Sequence, residues 1–363
     1  MTHSKLILAL LLMYSLFLSC RKQQQETGEL YNAISFSAAI NQSDLSGNAT
    51  KAPGEIGSLQ ALQQEGFGVF ASYTGLRRYS ESSVSSDFMH NQEVWFNTDA
   101  GLWEYSPVKF WPNGEEEYVS FFAYAPYSDG DISRPATNPA GYCIPSFCNP
   151  RELGDPWILY CLHSDPDKQV DLLYADPLLD QCKSEISGRL QFSFRHALSC
   201  AGENAAVSVA DALTAELDNL VKSGGFDTVQ LLLREVSARY TLTSKARLVL
   251  WNRGQANWQS VSSEDPLTTL SRIYYSNEEG TLLYSYDGTQ SLKSSWNVSD
   301  KGVFFIPIET APQEVEINVR YVIRTTQSGS ISDSEKTASM TLSLKDYCKE
   351  GKQLDFNISL NTL

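Results

Sequence analysis

Apolar residues recur at every second position in run after run of this chain, a period that suits strands and excludes helices. Ile34, Phe36, Ala38 and Ile40 alternate with small or polar residues. So do Leu190, Phe192 and Phe194, then Val315, Ile317, Val319 and Tyr321, and last Leu354, Phe356, Ile358 and Leu360. One apolar face per strand is what an antiparallel sheet presents to a core. The runs are short and separated by Gly, Asn, Asp, Ser and Pro clusters, which predicts an all-β chain built from β-sandwiches. The most aromatic stretch, Glu104–Tyr127, reads as a hairpin closed by Trp111-Pro112-Asn113-Gly114, since Pro and Gly suit its turn and aromatic residues suit a half-buried pleated surface.

Helical periods are few. Gly57–Glu65 has room for a turn or two, and Ala210–Lys222 places Leu213, Leu217 and Leu220 on one face before a Gly224-Gly225 stop. That second helix is expected to divide two domains: residues 31–209 as a first sandwich, 210–225 as a helical linker, and 226–363 as a second sandwich. A Pro- and Asp-rich stretch, Ser128–Lys168, reads as a surface excursion within the first.

The N-terminus predicts export. His3 and Lys5 precede the apolar run Leu6–Leu18, which is too short to span a bilayer. The run ends at Ser19-Cys20, the pattern of a bacterial lipoprotein signal over residues 1–20. Its chemistry would be lipidation of Cys20, cleavage before it and acylation of the new amine. Several acyl chains on one residue anchor stably where one chain does not. No acidic residue follows Cys20, so outer-membrane attachment is expected, through a polar tether at 21–30. A net charge of -15 disfavours nucleic acid, which needs a basic surface.

An exported chain meets an oxidising compartment, so disulfides are allowed. Cys143 and Cys148 bracket a four-residue loop and are the candidate local pair; Cys161, Cys182, Cys200 and Cys348 have no pairing that spacing alone assigns. Zinc lacks a CxxC pattern, with His163 the sole nearby imidazole. Calcium at Asp165, Asp167 and Asp171 lacks the spaced ligands and central Gly of a calcium loop. The histidines are scattered, and His196, between apolar strand residues, suits a structural hydrogen bond better than acid–base work. No nucleophile elbow, P-loop or dinucleotide fingerprint occurs, so no enzyme, metal or cofactor is expected beyond the lipid on Cys20.

The order of several segments resembles the fimbrillin-like family, the lipoprotein-derived subunits of type V pili. After the Cys20 signal come the run Tyr31–Ile40, Ala49-Thr-Lys-Ala-Pro53 and Phe67–Tyr73. Tyr105–Pro112, Val119–Pro126, Asp171–Ala175, Leu190–Ser199, Phe305-Ile-Pro307 and Gly351-Lys352 follow. The resemblance implies two transthyretin-like β-sandwich domains in tandem and assembly by strand exchange. A surface trypsin-like protease would cut at Lys51–Ala52, where the family more often carries Arg. The removable strand would hold Ile34, Phe36, Ala38 and Ile40, and a strand of another subunit would take its place. Leu354, Phe356, Ile358 and Leu360 belong either to the donor strand or to one that closes the second domain. The implied partners are other fimbrial subunits, the protease, the outer membrane and surface receptors on host or bacterium. The implied role is adhesion as a pilus or tip subunit; the alternative is a monomeric, lipid-anchored glycan-binding protein with exposed aromatic platforms, for which Trp103, Trp111 and Trp157 are the candidates.

Overall fold

The computed structural model describes residues 32–41, 56–133, 139–186, 188–251, 254–262, 266–299 and 302–361. The signal and tether with Cys20, and the processing pair Lys51 and Ala52, lie outside the described residues. The first half carries β1 (Phe36–Ile40), β2 (Phe67–Gly75), β3 (Met89–Asn97), β4 (Leu102–Glu104), β5 (Tyr118–Ala125), β6 (Ser146–Phe147), β7 (Trp157–Cys161), β8 (Leu173–Ala175), β9 (Leu178–Gln181) and β10 (Leu190–His196). The second carries β11 (Ser199–Val209), β12 (Thr228–Thr243), β13 (Lys245–Val249), β14 (Asn257–Gln259), β15 (Leu267–Tyr286), β16 (Ser291–Lys293), β17 (Trp296–Ser299), β18 (Val303–Phe305), β19 (Glu314–Gln327), β20 (Ser330–Ser343) and β21 (Gln353–Leu360). The chain is all-β with short helices, as its period of two requires.

One sheet holds most of the first half, in the order β1-β10-β8-β5-β2-β3-β4 with β9 also on β5. It curls until its ends, β4 and β1, come within 8 Å of each other, Cα to Cα. Alternate residues of β10, Leu190, Phe192 and Phe194, point inward, while Gln191 and Ser193 face solvent. They meet Phe36, Phe67, Val69 and Phe121 in an aromatic core from which water is excluded. In the second half, β11 carries β17 and β18 on one edge and β21 on the other. It faces the sheet β16-β15-β12-β19-β20, with Phe356 of β21 seated against Tyr240 and Tyr274.

The helices follow their caps. The Ser58 side chain accepts the Ala61 N–H to open α1 (Leu59–Glu65), and Gly66, at φ 67, closes it. A short α2 (Pro139–Cys143) lies in the excursion. In α3 (Asp211–Lys222), Leu213, Leu217 and Val221 are buried, and the helix packs on β12 and β15.

Four expectations change. The Glu104–Tyr127 hairpin does not form: β5 pairs with β2, β8 and β9, while β4 pairs with β3. Pro107 and Pro112 lack the N–H that a ladder needs. The true turn is Asn97–Gly101, where the Asn97 Oδ1 accepts from Asp99 and Ala100 and Gly101 takes φ 66. The helix is not where the sheets part. β11 pairs with β17, β18 and β21, so they part at Ala197-Leu198, ahead of residue 210. The stretch Ser128–Lys168 is not a surface excursion. Its β6 and β7 join β13 and β14 in one sheet, ordered β14-β13-β7-β6, and Ile144, Ile158 and Tyr160 are fully buried. Finally, Cys143 and Cys148 are separate buried thiols and not a disulfide. Cys143 ends α2, whereas Cys148 is drawn to β7, its N–H bonded to the Trp157 carbonyl at 3.0 Å. Burial pushes their thiols up to about 12 and about 11.

Candidate functional site: the groove around the first strand

Residues 32–41 lie in a groove with a different partner on each side. From Ser35 onward the partner is β10, and the pairing is parallel, with Phe36 opposite Leu190 and Ile40 opposite Phe194. The Leu190 N–H donates to the Ser35 carbonyl at 2.9 Å, and the Asn41 N–H to the Phe194 carbonyl at 2.8 Å. Before Ser35 the partner is the segment that failed to become a hairpin. Ile34 N–H donates to the Lys109 carbonyl and Trp111 N–H to the Asn32 carbonyl, both at 2.9 Å. The Tyr105 hydroxyl donates to the Ile34 carbonyl at 2.7 Å and accepts the Lys109 N–H at 3.2 Å. Burial pushes its pKa up to about 12, so it stays a donor at neutral pH.

Side chains lock the strand unevenly. Ile34 and Phe36 are sealed in the core, whereas Ala38 and Ile40 are half-buried. The Phe36 ring is ringed by Tyr105, Phe192, Phe121 and Phe67 at centroid distances of 5.4, 5.6, 5.9 and 6.5 Å. The strand is therefore at the sheet's edge by its backbone and in the core by its upstream side chains.

Where the chain re-enters at Ile56, its N–H donates to the Asp171 carboxylate at 3.1 Å. Asp171 is fully buried, accepts the Leu172 N–H at 2.8 Å and bonds His196 Nδ1 at 2.8 Å. His196 thus makes the structural bond expected of it. Asp165 pairs instead with Lys168 and Asp167 with Arg272, so the three aspartates do not converge. Among the described residues no cluster of His, Cys, Asp or Glu fits a metal ion.

Leu354, Phe356, Ile358 and Leu360 are buried in β21, which runs parallel to β11 in this structure. The bonds to β1 come from Leu190 and Phe194 and those to the β21 end from Leu198 and Cys200, while the Ala197 N–H turns the other way, to Leu172. Each of the two candidate strands thus has a parallel partner, β1 on β10 and β21 on β11. The three candidate tryptophans form no shared platform among the described residues: Trp103 and Trp111 pack on the first core, and the Arg247 guanidinium covers Trp157 at 3.9 Å.

A sequence model of the fimbrillin-like family matches residues 59–362. The chain belongs to the fimbrillin-like family. The matched residues begin at α1, so β1 lies ahead of them. A fimbrial protein from Bacteroides vulgatus ATCC 8482 is similar in fold, with a TM-score of 0.59 at 19% identity over 89% of this chain and 91% of that one. A candidate cell adhesion protein from Bacteroides uniformis ATCC 8492 has a TM-score of 0.39 at 13% identity over 85% of this chain and 98% of that one. No curated protein matches the sequence. Membership in a fimbrial family implies a surface-exposed protein that assembles with other pilus subunits. Among the described residues no helix is long and apolar enough to cross a membrane.

Proposed function

We propose that this fimbrillin-like chain is a structural pilus subunit, not an enzyme, that assembles by exchanging its first strand and contributes to adhesion. It is exported as a lipoprotein, lipidated at Cys20 and held at the outer membrane. A trypsin-like protease cuts at Lys51–Ala52, β1 departs, and a strand of another subunit enters beside β10. The observation that supports this best is the dual character of β1. It is held at one edge, parallel to β10, yet Phe36, and Ile34 just ahead of it, are seated in the core. An edge strand can leave without breaking the strands behind it, and its loss exposes both a ladder and an apolar slot. Burying two such side chains is worth roughly 1.5–3 kcal/mol each, so refilling the slot is strongly favoured. The downstream chain stays put, because Asp171 grips Ile56.

Limited trypsin digestion tests this reading. Lys51 is the sole Lys or Arg between Lys22 and Arg77, so one cut should free the strand-bearing segment. Loss of that segment, followed by multimers that resist heating in detergent, is the expected result. A cut protein that keeps its strand and remains monomeric would remove the basis for strand exchange.

A further inference from the structure

We propose that Tyr105–Trp111 forms a second wall of the groove, which binds the backbone of the upstream half of an incoming strand and sets its register through the Tyr105 hydroxyl. The inference rests on the strand-exchange reading and adds what the strand must be. The wall belongs to the body of the protein and not to β1. Trp111 packs edge-on against Phe121 at 6.0 Å, the Gln92 amide holds the Ser106 carbonyl at 3.1 Å, and the Lys109 ammonium lies 5.6 Å over Phe88. When β1 leaves, the Lys109 carbonyl, the Trp111 N–H and the Tyr105 hydroxyl lose the bonds they make to residues 32 and 34. Once β1 has gone, these groups are left with water and, for the Tyr105 hydroxyl, the Lys109 carbonyl at 3.3 Å, so a replacement backbone is favoured most in the register that restores all three bonds.

The occupant is accordingly an extended segment of another subunit, parallel to β10 and long enough to span the positions of residues 32–41. It carries an aliphatic residue at the Ile34 position, where an N–H must meet the Lys109 carbonyl, so proline is excluded there. Two residues on it carries an aromatic residue for the Phe36 cage. A wall that reads only backbone accepts many sequences but one register.

The test uses the full chain, cut once by trypsin after Lys51, and labelled synthetic peptides of residues 32–41 and 35–41 in excess. Wild type should bind the longer peptide about 100-fold more tightly, reflecting the wall bonds and the Ile34 side chain. Tyr105→Phe keeps the ring against Phe36 and removes the hydroxyl. It should weaken the longer peptide roughly tenfold and leave the shorter one unchanged. The longer peptide with N-methylisoleucine at position 34, offered to wild type, should also lose roughly tenfold, which holds even if the variant folds poorly. Equal weakening of both peptides by Tyr105→Phe, or no penalty from the methyl group, would overturn the second wall while leaving strand exchange standing. If neither peptide enters the cut wild-type protein, strand exchange itself fails.

Discussion

Gly202 shows how tightly single residues hold the second core. Its φ is +77, and an added Cβ would lie 2.0 Å from the Tyr274 hydroxyl, 2.6 Å from the Phe356 ring and 2.8 Å from the Tyr240 hydroxyl. Only glycine lets the bulge in β11 pass beneath that tyrosine pair and the aromatic residue of β21. Gly202→Ala should therefore destabilise the protein by about 2–4 kcal/mol, combining the left-handed backbone with overpacking, as urea unfolding would read. The thiols give a second residue-scale prediction. Burial raises Cys143, Cys148 and Cys348, so at neutral pH all three are protonated and shielded. Iodoacetamide should label them slowly in the folded protein and quickly in urea without reductant. A disulfide at Cys143–Cys148 would block both labels under either condition. The spacing of the two cysteines could not reveal that one ends α2 while the other is bonded to β7.

Among elements, β1 is held most firmly at its upstream end, and mutations should grade accordingly. Phe36→Ala should cost roughly 3–5 kcal/mol of the hold on the strand, and Ile40→Ala, at a half-buried site, clearly less. Hydrogen exchange at Leu190 and Asn41, whose N–H groups bridge β1 and β10, should accelerate in that order of severity. Equal acceleration by both variants would mean that the strand is not anchored by Phe36. The alternation from Ile34 to Ile40 made this half of the site legible, because a period of two needs no knowledge of the partner. Its parallel pairing and the opposite wall were not legible. Tyr105–Trp111 has the aromatic content of a strand, but its prolines and its distance from Asn32 in the chain hide what it pairs with. Asp171 was hidden likewise: its partners, Ile56 and His196, are brought together only by the fold. The same blindness to distant pairing made β6 and β7 look like a loop.

At the scale of the molecule, that misread stretch decides how the halves cohere. β7 pairs with β13 over its whole length, from Trp157 opposite Val249 to Cys161 opposite Lys245, so a sheet bridges the first half and the second. The Arg195 guanidinium in β10 adds a bond to the Gly254 carbonyl at 3.0 Å. The Trp258 indole donates to the Ala197 carbonyl at 3.0 Å, at the point where the sheets part. A chain of two independent sandwiches would unfold in two steps, each half keeping its own stability. A chain with a shared sheet should unfold in one, because losing either half strips β7 or β13 of its ladder and uncovers Tyr160 and Leu248. Tryptophan fluorescence and far-ultraviolet circular dichroism should thus trace a single urea transition. A fragment ending at residue 209 should not fold on its own, since it retains β7 without β13 and β11 without β21. Two separated transitions, or a well-folded fragment, would show that the halves are stable independently and reduce the bridge to a contact.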